Sequence, residues 1–154
     1  PHVVKIYRNR GHWMDRLDAA AVPWMAKFRR NLHPERIVWR QDDVTHSRFY
    51  WLAVDAKNRK GRSTLIASRK GQTIQIETSP VKRLTIRLDD SMLDLDKPIR
   101  IQSGKLKLHE AVVPRTLAAL STTLQERGDP NGVFTAEVSI EWPEPDSKKA
   151  TAKK

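Results

Sequence analysis

The sequence predicts a mainly β protein: an antiparallel β-sandwich, immunoglobulin-like or jelly-roll-like, with one inserted helix and a strand-loop-helix extension in front. Three observations lead there. Between residues 36 and 142, apolar and polar residues alternate with period two in short runs. Turn formers separate those runs, among them Lys70-Gly71, Ser103-Gly104 and Asp129-Pro130-Asn131-Gly132. A single stretch in the region, 116–127, has convincing helical spacing. Roughly seven to nine short strands at such spacing are the pattern of a two-sheet sandwich.

The elements follow in order. In the extension, residues 1–35, Val3, Val4, Ile6 and Tyr7 form a strand-like run, broken by Asn9-Arg10-Gly11-His12. Asp15 and Asp18 suit the start of a helix, and Ala19, Ala20, Val22, Trp24, Met25 and Phe28 continue its apolar spacing. Pro23 inside that pattern kinks the helix or restarts it from a first-turn position. The sandwich, 36–142, opens with a strand at 37–40. Residues 48–55, RFYWLAVD, are apolar on both faces, as expected of one central, doubly covered strand. Strands at 63–69 and 72–78 flank Lys70-Gly71, with Ile74 and Ile76 inward. Leu84, Ile86 and Leu88 point inward from the next strand, with Thr85 and Arg87 outward. Residues 98–102 and 105–109 read as a hairpin about Ser103-Gly104. The helix 116–127 has Leu117, Leu120 and Leu124 along one face and Gly128 as its C-terminal stop. The last strand, 133–142, aligns Phe134, Ala136, Val138, Ile140 and Trp142. Residues 143–154 lack periodicity and read as a disordered, Lys-rich tail.

Composition narrows the chemistry. The absence of cysteine excludes disulfides and thiolate catalysis. No apolar run approaches the ~20 residues of a membrane-spanning helix, so no membrane partner is expected. Pro1–Arg10 has no apolar core of a signal peptide, and a start at Pro1 without methionine reads as a segment of a larger protein. The formal net charge of +11 is spread out: +4 over residues 1–35, +5 over 36–142 and +2 over 143–154. Diffuse charge favours salt-sensitive, non-specific association over a dedicated nucleic-acid face. The basic loop 57–62, with Arg69 and Lys70, has only Tyr50 and Trp51 near it in sequence, and these belong to the core more readily than to a stacking platform. Nucleic acid is therefore not an expected partner.

The remaining chemical candidates are few. His12 lies just past a strand-like run and before a helix, where a loop presents an imidazole for general-base work; the plain alternative is a partly exposed loop histidine. Asp89, Asp90, Asp94 and Asp96 cluster as Ca²⁺ ligands do, but their spacing is not that of an EF-hand and aspartates are ordinary turn formers. The five histidines, at 2, 12, 33, 46 and 109, show no metal-ligand spacing, and no cofactor is implied. Of the five tryptophans, Trp39, Trp51 and Trp142 fall among inward strand positions and read as core, whereas Trp13 and Trp24 belong to the extension.

One resemblance bears on these residues. HVVKIYRNRGHWMD, followed by an Ala-rich stretch with Pro23-Trp24-Met25, resembles the end of an α/β-hydrolase domain: last strand, histidine loop, final helix. The segments RFYWLAVD, LDDSMLDLDKPIRI and RTLAALSTTLQERGDP resemble the extra C-terminal domain of some bacterial esterase-like or peptidase-like hydrolases. By this resemblance His12 matches the triad histidine, and the chain is the accessory C-terminal region of an exported bacterial hydrolase, periplasmic or extracellular. It would pack on the catalytic domain of the same parent chain and shape substrate access. The chain departs from the family's pattern in containing no G-x-S-x-G nucleophile elbow, so His12 has catalytic meaning only within a full-length parent. The alternative reading is an independent binding module for polyanions or carbohydrate.

Overall fold

A computed structural model describes residues 2–142; the 143–154 tail lies outside the described residues. The chain divides into two compact units between Asn31 and Leu32. This is slightly earlier than the expected boundary at 35, because Leu32–Glu35 is tied into the second unit. Trp51 Nε1 donates to the Pro34 carbonyl (2.9 Å), and an Arg69 guanidinium nitrogen donates to the His33 carbonyl (2.7 Å).

The second unit is a β-sandwich. A five-stranded sheet contains β1 (Arg36–Gln41), β4 (Ser63–Lys70), β5 (Thr73–Thr78), β7 (Ile99–Ser103) and β8 (Leu106–Ala111), hydrogen-bonded in that order. A four-stranded sheet runs β2 (Arg48–Phe49), β3 (Leu52–Ala53), β6 (Arg83–Leu88), β9 (Ala136–Glu141). All pairs are antiparallel except β5 with β7, which is parallel because the chain crosses to the other sheet as β6 before returning. The alternation read from the sequence builds one core from both sheets: Ile37 and Trp39 from β1, Ile74 and Ile76 from β5, Leu84 and Ile86 from β6, Ile99 and Ile101 from β7. The β7–β8 hairpin turns at Gly104, whose φ of +58° is the left-handed conformation that glycine adopts freely.

Three expectations about the sandwich are corrected. Residues 48–55 are not one central strand. They fold back as two short strands, pairing Arg48 with Ala53 and Phe49 with Leu52 across a turn with Tyr50 at φ +54°. A straight strand sends successive side chains to opposite faces, whereas the turn lets Trp51, Leu52, Ala53 and Val54 all be buried. The turn is held by Arg127, which donates to the Tyr50 carbonyl and stacks over Phe134, 5.3 Å from its ring centre. The second correction concerns α2 (Leu117–Arg127), which buries Ala119 and Thr123 rather than its leucines; Leu117 is 83% exposed. Close approach to the chain entering β9 requires small side chains: the Thr123 hydroxyl accepts from Phe134 N–H (3.0 Å) and lies 2.9 Å from the Ala119 carbonyl it donates to. The helix starts at the Thr116 hydroxyl, which accepts from Ala119 N–H (3.1 Å), and stops at Gly128 in the left-handed region. The third correction is Arg87, which is buried rather than outward, for reasons given below.

The first unit is built differently. The expected strand over residues 3–7 does not form: strands are stabilised by hydrogen bonds to a neighbour, and these residues pair with no strand among the described residues. Met14–Arg16 is one 3₁₀ turn, and α1 (Ala21–Met25) is only five residues long, with Pro23 in its first turn. So short a helix has little stability of its own. Tyr7 Oη donates to the Leu17 carbonyl (2.9 Å), and Trp24 and Phe28 meet edge to face at 4.8 Å. None of residues 2–31 is buried.

Candidate functional site

His12 stands in the turn before the 3₁₀ segment, exposed, with its ring 5.3 Å from that of Trp13. A hydrolytic triad needs a nucleophile and an acid within hydrogen-bond reach of the base. Residues 1–46 contain neither serine nor cysteine, so His12 has no such nucleophile within its own unit.

Two cations hold three of the four carboxylates of the acidic loop. Arg115 bridges Asp90 (Nε to Oδ2, 2.9 Å) and Asp96 (Nη1 to Oδ1, 2.7 Å), and Lys97 pairs with Asp94 at 2.7 Å. Asp89 accepts from the Ser91 N–H at 2.9 Å. The Arg115 hydrogen bonds hold Asp90 below the usual aspartate range, and Lys97 does the same for Asp94. Among the described residues no group of three or more His, Asp or Glu side chains is placed to hold a metal ion. The loop is a clasp between the β6–β7 connection and Arg115, which precedes α2.

A contact that sequence reasoning missed lies beside this loop: Ser91 Oγ is 2.9 Å from His33 Nδ1. Burial, the largest influence on His33, pushes its pKa below the usual 6.5, which favours the neutral imidazole. A neutral imidazole against a hydroxyl has the form of a base and nucleophile, but the backbone N–H of Ser91 itself is already given to Asp89 and is not available to an oxyanion. The pair joins the loop to the segment before β1. The basic loop is likewise engaged locally: Arg62 pairs with Asp43 at 2.8 Å and Arg59 donates to the Thr45 carbonyl at 3.1 Å.

Two cavities lie on the sandwich. The first, about 320 Å³, lies between α2 and the four-stranded sheet. At its base the Arg87 side chain, only 5% exposed, makes a two-pronged bond to Glu126 (2.6 and 2.9 Å). Glu137 stands 3.8 Å from Arg87 Nε, and Arg48 approaches Glu126 at 3.4 Å. The Arg87 hydrogen bonds hold the Glu126 carboxyl below its usual value. This ion pair, with Arg87 enclosed and Glu126 half-buried, fastens α2 to the sheet.

The second cavity is a groove of about 530 Å³ whose eight lining residues are all polar or charged. Its floor is the outer face of the five-stranded sheet. Strand register sets Arg36 beside Ser68, Ser68 beside Gln75, and Gln75 beside Gln102, one row across β1, β4, β5 and β7. Gln102 Nε2 donates to Gln75 Oε1 at 2.9 Å, and Arg36 forks onto Glu77 at 3.2 and 2.9 Å. The row was not visible in sequence, because its members come from four strands and one of the pairings is parallel.

The fold and these sites define a β-sandwich module with a short helical-turn extension. No helix among the described residues is long and apolar enough to cross a membrane. No protein-family model, no curated protein and no solved structure matches the chain.

Proposed function

We propose that this chain is a non-catalytic accessory region of a larger hydrolase. In this reading the sandwich packs on an α/β-hydrolase domain of the same polypeptide and shapes access to it. The extension, cut back to residues 1–31 by the unit boundary, completes that domain with its last strand, histidine loop and final helix. The observation that carries the reading is the exposure of the extension's apolar side chains: Val4 76%, Ile6 81% and Trp13 87%. Burying a valine or isoleucine side chain fully is worth about 1.5–3 kcal/mol, so a partner surface gives this segment the stability it does not generate alone. The unformed strand over 3–7 fits the same account, since a last strand is completed by its neighbour. His12 would then act as general base on a nucleophile supplied by the partner domain.

The test is the reading frame ahead of the codon for Pro1. It is expected to encode alternating strands and helices with a G-x-S-x-G elbow. An upstream domain without that elbow, or no upstream domain, would overturn the proposal. The second reading, an independent binding module for polyanions or carbohydrate, has the polar groove of the five-stranded sheet in its favour.

A further inference from the structure

We infer that the groove on the outer face of the five-stranded sheet binds an acidic oligosaccharide, laid across β1, β4, β5 and β7 with a carboxylate at Lys70. The inference rests on the second reading above and holds with or without a catalytic domain. Residues paired across strands project from the same face, so Arg36, Ser68, Gln75 and Gln102 present one continuous row. Lys70 and Thr73 pair at the next outward register. Hydroxyls and carboxamides both donate and accept, which is what a hydroxyl-rich ligand needs along its length. The amides are already oriented. Gln102 bonds Gln75 at 2.9 Å, and Gln75 Nε2 rests against the Ile76 carbonyl at 3.3 Å. Groups fixed before binding lose less freedom on binding.

Charge and shape define the ligand class. Arg36 is held by Glu77, whereas Lys70 is exposed and makes no ion pair among the described residues, leaving an ammonium at the rim for an anionic group. The single carboxylate in the lining, Glu35, opposes that anion. A volume near 530 Å³ falls within the range of small-ligand sites, about 300–1,000 Å³. The lining contains no aromatic ring for bases to stack on; what argues for a saccharide is the run of hydroxyl and carboxamide groups, which match a ligand rich in hydroxyls.

The experiment titrates the full chain with trigalacturonate, with the neutral trisaccharide of galactose, and with oligothymidylate, followed by calorimetry and NMR at low salt. Saturable binding of trigalacturonate is expected, with the neutral sugar about tenfold weaker or worse, because a charge-assisted bond is lost. Lys70→Ala and Gln75→Ala should each weaken binding by about tenfold, and Glu35→Gln should strengthen it. Lys70 and Glu35 are exposed, so their variants carry the test even if Gln75→Ala unfolds. Three results would overturn the inference: no saturable binding at millimolar sugar, affinity indifferent to Lys70 and Glu35, or oligothymidylate binding as tightly and as indifferently, which would indicate only the diffuse positive charge.

Discussion

Glu126→Ala is expected to lower folding stability by about 3–5 kcal/mol, because it leaves the Arg87 guanidinium buried without its partner. The Arg87 side chain is nearly enclosed, and both prongs of its fork go to Glu126. Glu137, at 3.8 Å, is too distant to replace that fork. Arg87→Met combined with Glu126→Leu removes both charges and fills the space, so the double variant should be more stable than Glu126→Ala. Urea unfolding of the variants measures this directly. The pH dependence follows from the same pair. The Glu126 carboxyl has a depressed pKa in the folded state, so its contribution is fully present above the usual glutamate value of 4.5 and is lost as pH falls through the lower folded value. Glu126→Gln should therefore flatten the acid limb of the stability profile, and an unchanged limb would refute this assignment.

Trp51→Ala should cost a comparable ~3–5 kcal/mol, the range for removing a large aromatic from a packed core. Trp51 is fully buried at the turn between β2 and β3, and its indole N–H donates to the Pro34 carbonyl at 2.9 Å. That bond also fastens the segment before β1 to the core. Trp51→Phe keeps most of the packing and loses the bond, so it should cost only about 1–2 kcal/mol. Near-equal costs for the two variants in denaturant titrations would show that the hydrogen bond, and not ring volume, governs this position.

Legibility in the sequence followed how local each signal was. Strands β4, β5, β6 and β9 and the β7–β8 hairpin were readable because side-chain alternation and turn residues are properties of neighbours in the chain. Residues 48–55 misled because an apolar run on both faces describes equally a doubly covered strand and a turn with four consecutive buried residues; Tyr50 with positive φ decides between them. The leucines of α2 share one face as the spacing indicates, but the spacing does not reveal that close packing buries Ala119 and Thr123 instead. Arg87 was placed outward by alternation alone, and only the arrival of Glu126 from a distant helix explains its burial. The groove is a product of register, with no local trace. His12 was singled out in sequence and stands exposed as a turn residue, and its proposed role depends on a domain that supplies the rest of the chemistry.

In the proposed reading, this chain carries out no bond chemistry of its own. That is tested by offering the purified 154-residue chain an activated ester and comparing it with His12→Ala. The predicted result is slow, non-saturating hydrolysis, no faster than imidazole at equal histidine concentration and little changed by the substitution. Saturable turnover by the intact chain, abolished in His12→Ala, would contradict the account.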